Sequence, residues 1–522
     1  MEGSISSSTY RKGLKHSSVV AVCSAIRGIL ISLPAILIAK NLGLGNATDA
    51  YLMAVSINLI ILKFVRVGTL PKIFIMVLSE KFVRNRKSVE DDIGNFFNIL
   101  LITSFLVMLA AYFLAPVLVK VIAIGFADDK KLLTIQIFRL VIPLFFYQSV
   151  MSLFESIFNL FNKFGQWAIS NLISPLIVVC FVYFSVGRLG IFSIVYGTLL
   201  GAFTHLFVLG FYIIFNFNYS YRFRLNFKDK LVKEIPILLY PYYFSSFFVQ
   251  IMEAIQSFFV SMLAPGLASV YFLVMRMKEY VEIFVIDSLL QFSFVYFIKE
   301  KAKYFIQQLK KVYTQLLNMI NYVSVPILIL LAVNGVWLSN IFFESKFSDP
   351  NIVAKLGLAF SWCMIFLLPE ASNNIQFAVI LSMKNTLRPN IINILRMVVV
   401  IFLTIVLFKW FKFWGIIFAN SLTHLQGFLM NHWYLRKKYG FENIFLNPAF
   451  LKTVLLNLFL VFFSVSLNYT MQKYFSIIYL HQKIVAVGVS FSLGALFYLF
   501  ISYLFKSKEL YTAFAVLMKR EV

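Results

Sequence analysis

Long apolar runs, each about as long as a helix that crosses a bilayer, follow one another along almost the whole 522-residue chain. A transmembrane helix needs about 20 largely apolar residues. With that length, the pattern predicts fourteen spans, at residues 17–40, 49–79, 92–119, 132–161, 166–187, 190–216, 235–263, 267–298, 313–342, 352–381, 389–409, 412–434, 450–472 and 482–505. The second, fourth, seventh and eighth are long and carry proline or polar residues, so we expect them to be bent or to line a cavity.

The composition indicates that lipid, and not water, is the solvent for most of this chain. Hydrophobic residues make up 61% of it and charged residues only 13%, whereas about a quarter of a soluble protein is charged. These values exclude a disordered chain, a soluble enzyme and a secreted disulfide scaffold. A transmembrane β-barrel alternates polar and apolar residues, and the unbroken runs here do not. The sequence therefore predicts an all-α polytopic membrane protein.

The net charge of +25 reflects an excess of cations in alternate loops. In a soluble chain this charge would suggest nucleic acid, but in a membrane protein the positive-inside rule explains it, and we expect no nucleic-acid partner. The loops between the basic ones, such as 41–48 and 264–266, are short and poor in cations. All basic loops fall on one side only if the number of spans is even. Fourteen spans satisfy this condition and place both termini in the cytoplasm.

Three short matches recur along the chain at a nearly constant distance. Gly45 and Gly266 each close a pair of spans, 221 residues apart, and Lys163 and Lys384 have the same separation. Thr204-His205-Leu206 recurs as Thr423-His424-Leu425, 219 residues later. The matches predict that spans 1–6 and 7–12 are two copies of one six-helix lobe. Because six is even, the copies are parallel, and such repeats carry a binding site at their interface.

The repeat also predicts how the chain is divided. Residues 1–216 form an N-terminal lobe, 217–234 a basic cytoplasmic linker and 235–434 a C-terminal lobe. Residues 435–522 then hold two extra C-terminal helices and a cytoplasmic tail. Two duplicated lobes are typical of transporters, although a non-transporting membrane scaffold would also fit the duplication.

Ionisable residues within the predicted spans are candidates for function, because each costs about 2.5–3.5 kcal/mol at the centre of a bilayer on insertion scales. The substrate-binding candidates lie in the early spans of each lobe; they are Arg27, Asp49, Lys63, Arg66, Arg276 and Glu279. A cationic cavity suits a phosphate or pyrophosphate, which arginine can grip with two parallel hydrogen bonds and lysine attracts as a point charge. A purely structural explanation is local pairing, for example between Arg276 and Glu279, or snorkelling of Lys63 and Arg66.

Other polar residues in the spans have simpler explanations. Arg139 and Arg396 are expected to be structural, and His205 and His424 are expected to form hydrogen bonds across helices. No GxxxxGK[ST] loop and no metal-type cluster is present in the sequence, so we expect neither catalysis nor a cofactor. A coupling ion, Na⁺ or H⁺, or the membrane potential would supply the driving force. Glu253 is the best single carboxylate for ion coupling.

Three stretches carry a resemblance to a known family. Residues 39–51 read AKNLGLGNATDAY, similar to "ARxFGxGxxTDAF". Pro143, followed by IFNLFNKF at 157–164, looks like a "P…ILNxxxRF" region. SMLAPG at 261–266, followed by MRMKEY at 275–280, resembles "S-x-L-x-x-G…DRLxEFP". Their order and spacing resemble the MurJ (MviN) lipid II flippases of the MOP superfamily, which also contains the Wzx and MATE transporters.

The resemblance implies a fold, a substrate and a location. It implies fourteen helices, with Asp49, Arg276 and Glu279 lining a central cavity for a polyprenyl-pyrophosphate-linked glycan, as in peptidoglycan biosynthesis, and a lipid-tail groove at the last two spans. It further implies a monomeric flippase of the bacterial inner membrane, surrounded by membrane lipids, that works by alternating access.

The sequence departs from the family at two places. The family's "GFxRD" is replaced around Leu33-Pro34-Ala35, and its "RR…EG" reads LKFVRVG at 62–68. These departures leave open a Wzx-like flippase for O-antigen or capsule units. A MATE-type exporter of organic cations is a third alternative, but the cations in the second and eighth spans disfavour it.

Overall fold

Helices lie in the described part of each of the fourteen predicted spans. The structure, a computed structural model, describes residues 7–65, 86–161, 163–217, 223–287, 306–383, 387–474 and 479–511. Its helices are α1 Ser7–Leu42, α2 Asn46–Val65, α3 Arg86–Ile122, α4 Asp128–Val141, α5 Pro143–Leu160, α6 Phe164–Ser170, α7 Ile173–Leu189, α8 Phe192–Phe217, α9 Lys230–Ser261, α10 Leu267–Val281, α11 Ile306–Val333, α12 Gly335–Phe343, α13 Pro350–Ser382, α14 Leu387–Phe411, α15 Phe413–Tyr439, α16 Pro448–Tyr474 and α17 Leu480–Leu504. No strand occurs within these ranges, so the predicted all-α fold is confirmed.

Several predicted spans are broken where backbone hydrogen bonding changes. The fourth span is two helices, α4 and α5, which meet at Pro143, because proline lacks the N–H that would continue the helix. The eighth span, expected to be irregular, changes from α-helix to a π-helical segment at Glu282–Asp287. The ninth span is interrupted at Asn334, between α11 and α12, which the sequence pattern did not predict.

Ten helices in the described part of the chain are long and apolar enough to cross a membrane. They correspond to every predicted span except the second, seventh, eighth and twelfth. The described parts of those four spans lie in α2, α9, α10 and α15. Between them they carry Asp49, Glu253, Arg276 and His424.

The first of two compact units comprises residues 1–269 with 345–347. Its core is formed by apolar side chains of α3, α5, α8 and the start of α9. Gly201 allows α8 to approach α7, because a Cβ there would lie 2.7 Å from the carbonyl oxygen of Ser174. Gly197 and Gly201 form a Gly-x-x-x-Gly pattern, which allows helices to pack closely.

The linker segment after α8 is held to α3 within the same unit. The side-chain amide of Asn95 donates to the carbonyl oxygen of Asn226, and its oxygen accepts from the Asn226 N–H. Asn98 donates to the carbonyl oxygen of Arg224.

The second unit comprises residues 270–344 and 348–522. One of its cores lies between α11, α16 and α17, where Tyr498 donates a hydrogen bond to the carbonyl oxygen of Tyr322 at 3.1 Å. Another group of contacts joins α13, α14 and α15. These units describe packing, whereas the lobes 1–216 and 235–434 were inferred from the repeat, and that division stays a prediction.

Candidate functional site

Asp49 lies at the start of α2, fully buried and surrounded by donors. One carboxylate oxygen accepts from the ammonium of Lys130 at 2.6 Å and from the Gly266 N–H at 2.8 Å. The other accepts from the N–H of Ser269 at 2.7 Å and from its hydroxyl. Lys130 also lies 3.9 Å over the ring of Phe126. A carboxylate with four such donors is fully satisfied.

The turn at Gly266 makes this arrangement possible. Gly266 has a φ of +86°, which glycine adopts without steric cost. The turn points the N–H groups of residues 266 and 269, at the start of α10, toward Asp49, and a helix N-terminus favours a negative charge. The structure thus brings Asp49 together with Lys130, and not with Lys63.

Lys63 and Glu253, two candidates identified separately in the sequence, form an ion pair. Lys63 Nζ lies 2.8 Å from Glu253 Oε1, which joins α2 to α9. The Lys63 side chain is 46% exposed and that of Glu253 27%, so both groups remain accessible. About two turns away, the hydroxyls of Ser56 and Ser257 lie 3.3 Å apart on the same two helices. Arg66 lies outside the described residues.

Arg27 is an exposed residue of α1 and acts electrostatically on His205. His205 Nδ1 lies 2.9 Å from the hydroxyl of Tyr147, which links α8 to α5. The predicted hydrogen bond of His205 across helices is therefore confirmed.

Arg276 lies on α10 in the second unit and is partly buried. The ion pair with Glu279 that would give it a structural role is not formed, and Glu279 is exposed. Arg276 has no ion pair or hydrogen bond to any residue that the structure describes.

A buried charge cluster lies in the second unit, where four helices each contribute one side chain. We call Lys278 of α10, Glu370 of α13, Arg396 of α14 and His424 of α15 the charge quartet. Lys278 Nζ lies 2.9 Å from His424 Nε2, and His424 Nδ1 lies 2.8 Å from Glu370 Oε2. Arg396 also donates to Glu370 Oε2, at 3.2 Å. Arg396 has a local ion pair, as a structural residue would, and the predicted cross-helix hydrogen bond of His424 is confirmed.

Close packing of α14 on α15 positions Arg396. Gly427 faces its guanidinium, and a Cβ at this position would lie 2.9 Å from Arg396 Nε. When the Asn373 amide is oriented to satisfy its neighbours, its oxygen accepts from Arg396 at 3.2 Å and its nitrogen donates to the Gly427 carbonyl. Sequence analysis identified Arg396 and His424 as polar residues within spans but did not identify Lys278 as a partner of His424. The repeat of Thr-His-Leu at 204–206 and 423–425 was the feature of the sequence that drew His424 out as a candidate for a contact between helices.

The two repeated histidines occupy corresponding places in their units. His205 of the sixth predicted span bonds Tyr147 of the fourth, and His424 of the twelfth bonds Glu370 of the tenth. In each unit the bond runs from the last helix of a predicted lobe to the helix two spans earlier. Only the second of these contacts contains a carboxylate.

Comparison with known proteins identifies the family. The family model for lipid II flippase MurJ matches residues 38–489. A curated relative named probable lipid II flippase MurJ, from Buchnera aphidicola subsp. Baizongia pistaciae, is 29% identical over 178 residues, 33% of this chain and 34% of the relative. The lipid II flippase MurJ of Thermosipho africanus is 23% identical over 167 residues, 32% of this chain and 34% of the relative. The aligned parts thus span about a third of these curated relatives.

Solved structures share the fold over most of the chain. A lipid II flippase MurJ in an inward closed conformation superposes with a TM-score of 0.77 at 18% identity, covering 93% of this chain and 98% of that one. A MATE family transporter of the MOP superfamily, in an inward-facing conformation, superposes with a TM-score of 0.64 at 14% identity. The match covers 80% of this chain and 98% of that one. The family match extends over most of the chain, and this protein therefore belongs to the family of the lipid II flippase MurJ.

Proposed function

We propose that this protein is a flippase that moves a polyprenyl-pyrophosphate-linked glycan of the lipid II type across the bacterial inner membrane, with both termini in the cytoplasm. Membership of the MurJ family supports the reaction class. The observation that carries the choice of an anionic substrate is Arg276, a partly buried cation at membrane depth with no partner among the described residues.

The chemistry of Arg276 suits a pyrophosphate. A cation in a bilayer is costly unless it pairs with an anion or reaches water. A pyrophosphate presents paired oxygens that match the guanidinium fork, and partial burial strengthens the attraction by lowering the local dielectric constant. The substrate would therefore supply the counter-charge that the described residues do not.

Lys63 is proposed as a second cation for the substrate. Its present partner, Glu253, holds it at 2.8 Å in an accessible position. An incoming phosphate could replace the carboxylate, which would leave Glu253 free to bind a coupling ion. Arg66 and Arg27 are proposed as further contacts on the grounds of sequence, and Glu279 as a group that orients Arg276 during alternating access. For Asp49 the contacts support a positioning role at the turn before α10.

Complementation in two bacterial hosts tests this proposal. One host depends on this protein after depletion of its own lipid II flippase, and the other lacks its O-antigen flippase. We expect growth, and lipid II exposure on the periplasmic face, in the first host. Rescue of the second host alone would redirect the proposal to a surface-polysaccharide flippase. Rescue of neither host, at normal abundance in the membrane, would contradict a flippase of polyprenyl-linked glycans.

Variants of Arg276 test the anion site in the host that is rescued. We expect Arg276→Ala to abolish rescue and Arg276→Lys to retain part of it, because an ammonium keeps the charge without the fork. The matched control is Arg188→Ala, which removes an exposed arginine from the last turn of α7. Full activity of Arg276→Ala would contradict the proposal that Arg276 is part of an anion-binding site.

A further inference from the structure

The contacts of His424 fix which of its two ring nitrogens carries the proton. A lysine ammonium has three N–H donors and no lone pair, so Lys278 can bond His424 Nε2 only if that nitrogen is unprotonated. The ring proton is then on Nδ1, where it is donated to Glu370 Oε2 at 2.8 Å. His424 is therefore neutral in this structure and accepts Lys278 with the one lone pair of its ring.

We propose that His424 Nε2 is a proton-binding site, at which a proton from water and the ammonium of Lys278 compete for the same lone pair. When the proton binds, a new N–H bond forms at Nε2, and the imidazolium still donates from Nδ1 to Glu370. Lys278 keeps its three protons and loses only its acceptor. Because the two cations would then face each other, Lys278 must move away from His424.

The charges on every helix around His424 support this exchange. Lys278 of α10 and Arg396 of α14 are cations, and Glu370 of α13 is the single anion of the charge quartet. Cys363 of α13 adds a buried thiol near Lys278. With neutral His424 the quartet has two positive charges and one negative charge. A further proton is therefore tolerated only if Lys278 leaves, which makes proton binding and the Lys278 contact mutually exclusive.

Lys278 has the freedom that such an exchange requires. Its side chain is partly buried, whereas His424 and Glu370 are buried, and a lysine can swing its ammonium toward water on a flexible stem. The helix that carries it is short: α10 begins after the turn at Gly266 and gives way to the π-helical segment only four residues beyond Lys278. Such segments are often found at functional sites.

The proton site also bears on the orientation of Arg276, and this step alone rests on the proposed function. Positions 276 and 278 lie about 200° apart around an α-helix, at about 100° per residue. While Lys278 is bonded to His424 on α15, Arg276 is directed to the opposite side of α10. Release of Lys278 removes one of the contacts that hold this rotation, so proton binding would change where Arg276 presents its charge.

Nitrogen-15 NMR of histidine-labelled full-length protein in lipid bilayers tests the proton site directly, without substrate. The chain has five histidines, and His424→Gln assigns the signal. At high pH we expect His424 with its proton on Nδ1, converting to the imidazolium as the pH falls. Lys278→Met removes the competing cation and should increase the proton affinity of His424 about tenfold or more, since a like charge at this distance shifts titration by about one pH unit or more. Glu370→Gln should decrease it.

His205 is the internal control, because it bonds Tyr147 in the other unit, and its titration should not respond to either variant. If Lys278→Met does not fold, Lys278→Gln keeps an N–H donor and removes only the charge, with the same direction expected. A proton on His424 Nε2 at high pH, or a titration that both Lys278 variants leave unchanged, would overturn the proposal. Because this measurement involves no transport, loss of rescue in the complementation hosts would count against the proposed function alone.

Discussion

Lys130 Nζ lies 2.6 Å from Asp49 Oδ2, with the lysine side chain 9% exposed and the aspartate fully buried. This ion pair connects α2 to α4, and the same carboxylate binds two N–H groups at the beginning of α10. Three segments far apart in sequence therefore meet at one side chain. The Thr-Asp-Ala stretch carries part of the family resemblance. In this chain its aspartate joins the ends of three helices by an ion pair and hydrogen bonds.

We predict that Asp49→Asn destabilises the protein strongly. The amide cannot neutralise Lys130, and leaving a buried charge without its partner costs about 3–5 kcal/mol. The matched control is Asp128→Asn, in the exposed pair of Asp128 with Lys131, where the aspartate is 97% exposed and the loss should be at most about 1 kcal/mol. Thermal unfolding of the purified protein in detergent measures both.

A double variant makes this prediction sharper. Combining Asp49→Asn with Lys130→Met removes the uncompensated charge, so it should be less destabilising than the sum of the single variants. Equal melting temperatures for Asp49→Asn and Asp128→Asn would contradict the assignment of Asp49 as a buried residue that holds these helix ends together.

Gly427→Ala is predicted to disturb the charge quartet through sterics alone. The added Cβ would lie 2.9 Å from Arg396 Cδ and Nε and 3.0 Å from Cζ, so the guanidinium must move away from Glu370. We expect a lower melting temperature. The control is Gly210→Ala in α8, where nothing lies within 4 Å of the new Cβ and alanine should add about 0.5–1 kcal/mol of helix stability. If the melting temperatures of Gly427→Ala and Gly210→Ala shifted in the same direction, the steric explanation would be refuted.

The helices were predictable from sequence, but their charged neighbours were not. A bilayer requires long apolar helices with internally bonded backbones, and this requirement is visible in the pattern of the chain, as is the break at Pro143. The pairing of Lys63 with Glu253, 190 residues apart, depends on how each helix is rotated and which helices are adjacent. Hydropathy contains little information on either. Lys278 was missed for the same reason, because its contact with His424 depends on the rotation of α10 and on the adjacency of α15.

The orientation of the chain is predicted from its basic loops. Reporter fusions at residues 225 and 520 should give cytoplasmic signals, and one at residue 265 a periplasmic signal, because positively charged loops remain inside. In the structure residues 225 and 265 are exposed positions outside the helices, which makes them suitable for insertion. Opposite signals at 225 and 520 would show that the number of spans between them is odd and that the predicted topology is wrong.

The final prediction concerns the ion pair of Lys63 and Glu253 and separates stability from transport. Lys63→Glu places two carboxylates together, so we expect lower abundance and no rescue in the host depleted of its lipid II flippase. The exchange variant, Lys63→Glu with Glu253→Lys, restores opposite charges on α2 and α9. Because the pair is partly exposed, it contributes at most about 1 kcal/mol, and the exchange should recover normal abundance.

Transport by the exchange variant should nevertheless remain defective. If Lys63 binds the pyrophosphate, its cation must project from α2, and the exchange transfers that cation to α9. A point charge displaced by the distance between two helices cannot reach the same phosphate oxygens in the same geometry, and misplacement of about 1 Å is already costly where geometry matters. Immunoblots of the membrane fraction and growth of the depleted host provide the two readouts. Full rescue by the exchange variant would mean that only the attraction between the helices matters, and Lys63 would then be a structural residue.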